Sequence, residues 1–218
     1  MKKAQQSFLL AFLLVAVLPF SACRSNPKMS PTQSPTPAER TAAGATSKPT
    51  PSPTEGGKNL QWSSPPPMTI DPGRQYSATI KTNFGDIVVQ LFPKDAPLAV
   101  NNFVFLARQG FYDGVKFHRV MKGFVIQSGD PTGTGTGGPG YKFADEQVQG
   151  EYGVGAVAMA NSGPDTNGSQ FFICIDDCTR KLSKDYNLFG FVVDGVEIAQ
   201  AIAVGDVMAT VVVEERER

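Results

Sequence analysis

Residues 76–92 read YSATIKTNFGDIVVQLF. Over 76–81 apolar and polar residues alternate, the period-two signature of a strand with one buried face. The run 85–92, GDIVVQLF, is rich in β-branched residues, which suit a pleated surface. Asn83, Phe84 and Gly85 lie between the two, with turn chemistry in Asn and Gly. The stretch therefore predicts an antiparallel strand pair.

Working outward, the same kind of segment recurs at 117–120, 124–128, 154–160, 170–175, 188–193 and 207–213, with Gly or Asp at most junctions. Two segments differ. Residues 95–109 carry Asp95 as an expected N-cap, Pro97 in the first turn and Gly110 just past the end. Their apolar residues Val100, Phe103, Val104 and Ala107 recur at helical spacing. Residues 194–203 repeat that pattern with Val196, Ala199 and Ile202. Eight short strands with only two helices predict an all-β fold, a barrel or sandwich capped by helices.

Composition divides the chain. Ten of its 17 prolines lie between Pro27 and Pro67, so the folded mass is expected at 68–218. That length buries enough surface to hold a core without disulfides. Residues 68–218 carry 13 Lys and Arg against 18 Asp and Glu, a net charge near −5. An acidic domain excludes the counterion-releasing basic surface that nucleic-acid binding requires, so no nucleic acid is expected as a partner.

The N-terminus reads as an export signal. Lys2 and Lys3 precede an apolar run over 8–20, shorter than the about 20 residues that span a bilayer and of signal-peptide length. Ser21, Ala22 and Cys23 then resemble a bacterial lipobox, with Phe20 where Leu is usual. The expectation is a signal peptide over 1–22, lipid on the Cys23 thiol and an extracytoplasmic, membrane-anchored protein. Several acyl chains would be needed for stable anchoring. Residues 23–67, rich in Pro, Thr and Ser, cannot repay their ordering entropy and are expected to form a disordered, semi-stiff linker. Its Pro-rich sequence could also dock into the domain's own proline pocket.

Three segments carry the chemistry. They are Phe117-His118-Arg119-Val120 with 123–130, GFVIQSGD; the sixteen residues 158–173, AMANSGPDTNGSQFFI; and Leu188-Phe189-Gly190. Together they resemble the cyclophilin family of peptidyl-prolyl cis-trans isomerases, from about residue 76 to 213. The resemblance implies a closed eight-stranded antiparallel barrel capped by two helices, with an active groove on its outer face. It implies Arg119 as the catalytic residue. Phe124, Val125, Phe172 and Leu182 would form the proline pocket, and Gln127, Ala160, Asn161 and Gln170 would bind substrate backbone or support Arg119. Tyr186 stands at the groove wall where a His is common, Val125 where many members have Met, and Lys181 where many carry a Trp that contributes to cyclosporin binding.

Elementary chemistry agrees with those roles. Rotation about a peptide bond meets a barrier of roughly 18–20 kcal/mol, and no bond breaks, so no nucleophile, metal or cofactor is needed. A guanidinium that hydrogen-bonds the prolyl nitrogen only as the bond twists lowers the barrier rather than merely binding substrate. Expected partners are proline-containing segments of exported proteins and, through the lipid, the membrane; the domain is expected to be a monomer. The rival readings are a non-catalytic module that holds proline segments and a membrane-assembly scaffold acting through its tether.

Other signals carry less. Gly133–Gly138 matches G-x-G-x-x-G, but Pro139 and Gly140 follow instead of a helix that could receive a phosphate. Residues 130–140 read as a flexible loop beside the groove. His118, the only histidine, reads as structural, since no spacing selects triad partners for it. Cys174 and Cys178 could be oxidised in an exported protein, but Cys174 is expected to point into the core and stay reduced.

Overall fold

The computed structural model describes residues 60–217. The signal peptide, Cys23 and most of the linker lie outside the described residues. Strands β1 (Gln75–Thr82) and β2 (Gly85–Leu91) pair antiparallel, with Ile80 opposite Ile87 and Ala78 opposite Val89. Helix α1 (Pro97–Arg108) follows, then β3 (Arg119–Met121), β4 (Val125–Ser128), β5 (Ala156–Met159), β6 (Phe171–Cys174), β7 (Leu188–Asp194), helix α2 (Val196–Ala201) and β8 (Met208–Arg216). All pairings are antiparallel, in one eight-stranded sheet of order β3-β4-β6-β5-β7-β2-β1-β8.

The expected closed barrel is corrected in one respect. β3 and β8 stand at the two ends of the order and share no paired residues, so the sheet is curled but open. The seam is spanned just before β3 and at the start of β8. Gly114 and Phe117 N–H donate to Met208 and Asp206 carbonyls, and Gly205 and Met208 N–H donate to Phe117 and Val115. These bonds satisfy edge groups that would otherwise invite pairing with another chain.

Alternation assigns the two faces. Tyr76, Ala78, Ile80, Ile87, Val89, Leu91, Ile126, Val157, Phe171 and Ile173 point inward, where Phe103 of α1 joins them in the main core. Their neighbours Val125, Ala156, Ala158, Phe172 and Cys174 point outward and form a second cluster with Tyr152, Cys178 and Leu188. A sheet with apolar residues on both faces of β4, β5 and β6 needs cover on its outer side. The segment 176–186 supplies part of it through Cys178, Leu182 and Tyr186.

Helix ends differ from expectation. The N-cap of α1 is Ala96, not Asp95, and makes no side-chain cap. Pro97 at the first turn drives the residue before it out of the helical region. The capping acceptor comes from afar: Glu146 Oε1 and Oε2 accept from Leu98 N at 2.7 Å and Ala99 N at 2.9 Å. α2 is shorter than 194–203, because Asp194 still pairs with Val88 in the sheet and Gly195 turns the chain at φ 81°.

Residues 60–67 lie against this fold. Leu60 and Trp62 contact the main core, and Asn101 of α1 donates to Pro67 O at 3.0 Å while accepting from Thr69 N at 2.8 Å.

Candidate active site

The outward face of the β3-β4-β6-β5 end carries the candidate site. Arg119 pairs with Gln127, Gln127 with Phe172, and Phe172 with Ala158. Directly opposed residues share a face of the sheet, so these four form one row across four strands. Val120, next to Arg119, turns inward against the main core, which leaves the Arg119 side chain on the exposed surface.

A cavity of about 330 Å³ lies on this row, lined by Arg119, Phe124, Val125, Gln127, Ala160, Asn161, Phe172, Lys181, Leu182 and Tyr186. Nine of these ten were singled out from the sequence as site residues; Gln170 is the one so named that lies elsewhere. It lines an adjoining cleft with Gln127, Ala160, Asn161 and the glycines 135, 137 and 138.

The two halves of the site differ in chemistry. One is apolar: Val125 and Phe172 are almost fully buried, Phe124 and Leu182 half-buried. Tyr186 meets Phe172 edge to face, ring centroids 5.5 Å apart. The other half is a relay of hydrogen bonds. Arg119 Nη1 donates to Gln127 Oε1 at 3.0 Å. Gln127 Nε2 donates to Gln170 Oε1 at 3.0 Å. Gln170 Nε2 donates to the carbonyls of Gly135 and Gly137 at 3.0 and 2.9 Å. Asn161 spends its amide on Asp185 O at 2.7 Å, so it ties the 183–186 turn to the groove wall.

Several contributing residues were not read from the sequence. Tyr152 is fully buried under the wall; its hydroxyl donates to Tyr186 O at 2.6 Å and accepts from Tyr186 N at 3.2 Å. Burial pushes that hydroxyl up to about 12, so it stays a donor. Met121 Sδ contacts Arg119 Nη2. Lys181 closes the rim, donating to Gly123 O at 2.8 Å and Asp176 Oδ2 at 3.0 Å, with its ammonium 5.9 Å from the Phe124 ring centroid. These contacts span 2 to 58 positions in sequence, and only the Lys-for-Trp difference at 181 gave any signal.

The loop 130–140 is built around its own anion. Asp130 is fully buried, and its carboxylate accepts from the N–H groups of Thr132, Thr134, Gly135 and Gly137. Burial raises its pKa, but the donors of Thr132, Gly137 and Gly135 outweigh that and hold it below the ordinary carboxylate value. The glycine-rich stretch therefore spends its amides internally rather than on a phosphate, and the expected flexible loop is pinned. His118 lies against Gly135; burial lowers its pKa and favours the neutral ring. Cys174 and Cys178 are unbridged and buried. Cys174 faces the second cluster beneath the groove rather than the main core, and burial pushes both thiols up. Among the described residues no group of His, Cys, Asp and Glu is arranged to hold a metal.

Residues 77–217 match the family model described as cyclophilin type peptidyl-prolyl cis-trans isomerase. The chain is 48% identical over 139 residues to a peptidyl-prolyl cis-trans isomerase of Helicobacter pylori, covering 62% of this chain and 85% of that protein. It is 49% identical over 148 residues to peptidyl-prolyl cis-trans isomerase A of Mycobacterium tuberculosis, covering 58% and 79%. Among solved structures, a cyclophilin type isomerase of Cryptosporidium parvum superposes with a TM-score of 0.60 at 35% identity, covering 64% of this chain and 98% of that one. The same protein in the presence of the dipeptide Ala-Pro gives a TM-score of 0.59.

Proposed function

This chain belongs to the cyclophilin family of peptidyl-prolyl cis-trans isomerases, and we propose that it turns X–Pro bonds in the cavity shared by Arg119 and the apolar wall. The observation that carries this reading is that shared cavity: a guanidinium stands beside Phe124, Val125, Phe172 and Leu182. The proline ring enters the apolar half and is held there by burial of its methylenes. Gln127 and Gln170 support Arg119 through the relay, while Ala160 and Asn161 hold the flanking backbone, so rotation is confined to one bond.

In the planar ground state the prolyl nitrogen lone pair is conjugated and accepts poorly. As the C–N bond twists, conjugation is lost and the nitrogen becomes an acceptor for Arg119. The interaction strengthens only toward the transition state, which is what raises turnover. A preorganised donor of this kind contributes about 2.7–4 kcal/mol. Gln127 fixes the guanidinium through Nη1, and Arg has further N–H groups in a rigid fork. No cofactor takes part.

The further reading is that the natural clients are exported proteins, met near a membrane by a monomer tethered through lipid on Cys23. The sequence of residues 1–23 supports it; mass spectrometry of the mature N-terminus tests it, since an unmodified or uncleaved terminus refutes lipidation. For the chemistry, the assay is isomerisation of a proline peptide by the wild type and by Arg119→Lys. Lys keeps the charge but lacks the fork, and is expected to bind peptide with most acceleration lost. Peptide binding by the wild type without acceleration would instead mark a holding module.

A further inference from the structure

Leu60, Gln61 and Trp62 lie before residue 77, where the family match begins, and the chemistry above does not use them. Gln61 and Trp62 nevertheless lie on the loop that ends the polar relay. Trp62 N donates to Pro139 O at 2.8 Å. Gln61 Nε2 donates to Gly138 O at 2.7 Å. Gly140 has φ +93°, and a Cβ there would come within 2.6 Å of Trp62 O, so strap and loop meet backbone to backbone. The indole sits on Phe105 of α1, centroids 5.2 Å apart, and on the buried Phe111 at 5.9 Å. Trp62 thus moors the C-terminal end of the loop to α1, while the Asp130 carboxylate holds the N–H groups of residues 132–137.

The carbonyls of Gly135 and Gly137 lie on the stretch that leads into the Trp62 mooring, and they set the polarity of the relay. A carboxamide has one donating and one accepting end. With both carbonyls taking the Gln170 amide, Gln170 must present its oxygen to Gln127. Gln127 must then present its oxygen to Arg119. Were the carbonyls to withdraw, Gln170 could reverse. Gln127 would then turn its NH₂ toward the guanidinium, donor against donor.

We propose that Trp62 is a positioning residue for Arg119, acting through the 135–140 loop and the Gln170–Gln127 relay. The proposal rests on the reading of Arg119 given above. The strap makes the catalytic geometry depend on a segment outside the family match, at the point where residues 1–59 join the domain.

The test is isomerisation kinetics on the full chain with a proline peptide. Trp62→Ala is expected to lower kcat about fivefold to tenfold with KM little changed, because the apolar pocket is untouched. Trp62→Phe, which keeps an aromatic contact with Phe105, is expected to restore the rate. In a Gln127→Ala background the relay is already cut, so Trp62→Ala should cost nothing more. A wild-type kcat for Trp62→Ala, or an equal loss in both backgrounds, overturns the proposal. If Trp62→Ala does not fold, Gln61→Ala decides in the same cycle. It is exposed, and its expected loss of about twofold should vanish when Gln127 is Ala; no loss, or a loss that persists, overturns the proposal. Arg119→Ala separates the two claims. A wild-type rate there refutes the reading of Arg119; a lost rate there with no effect at Trp62 refutes the strap alone.

Discussion

Asp130→Asn replaces one carboxylate oxygen by an NH₂ group at the centre of a ring of donors. Oδ2 accepts from Thr134 N at 3.1 Å, Gly135 N at 2.6 Å and Gly137 N at 3.1 Å, while Oδ1 accepts from Thr132 N at 2.8 Å and from its hydroxyl at 2.7 Å. The amide does least harm facing Thr132, whose hydroxyl can rotate to accept. Thr132 N–H is still orphaned, and the bonds to Oδ2 lose their charge. Losing one bond to the charged carboxylate costs about 1.5–3 kcal/mol, and weakening the remaining bonds brings the expected loss to about 2–4 kcal/mol. For a domain of this size each kcal/mol moves Tm by about 2–4 °C, so the melt should fall by about 5–15 °C.

The pH dependence gives the sharper readout. Asp130 has a folded pKa below its unfolded value, so its contribution is present above the ordinary carboxylate range and is lost as pH falls through the lower, folded value. Urea melts of wild type and Asp130→Asn should therefore differ most near neutral pH and converge in acid. Equal stabilities at pH 7, or a gap that persists in acid, would refute the assignment of a buried carboxylate as the loop's anchor.

Two further outcomes follow from the groove wall. Tyr152→Phe removes the hydroxyl that bridges Tyr186 N and O; it should cost about 1–3 kcal/mol in a denaturant melt and raise KM more than it lowers kcat, and an unchanged melt and KM would count against the wall's dependence on Tyr152. Leu182→Ala strips a half-buried wall of the pocket and should raise KM about five- to thirtyfold, equivalent to about 1–2 kcal/mol of lost apolar contact, with kcat nearly unchanged; a loss confined to kcat would place Leu182 outside the ring's binding site.

The sequence was most legible where spacing is short. Tyr76, Ala78 and Ile80 alternate with polar residues because one face of β1 is buried and the other is not, and that period survives any detail of tertiary structure. The motif residues Arg119, Gln127 and Phe172 fall in one row because antiparallel register places them opposite one another. What could not be read depends on distant partners. Asp95 looked like a cap, yet the acceptor for α1 is Glu146, brought in by the chain after the loop. Tyr152 is an unremarkable aromatic until Tyr186 folds over it. The barrel's closure turns on whether β3 and β8 pair, and no local pattern encodes that. Trp62 stood in a proline-rich stretch whose composition argued for a linker, while its indole found Phe105 and Phe111.

The central claim, that Arg119 acts on the twisted imide rather than on binding, is tested most directly by exchange NMR on a proline peptide saturating the wild type and Arg119→Ala. Saturation separates interconversion on the protein from affinity. The account predicts that bound interconversion slows about 10²–10³-fold while Kd changes little. Interconversion at the wild-type rate in Arg119→Ala, or a loss that appears only in Kd, would contradict it.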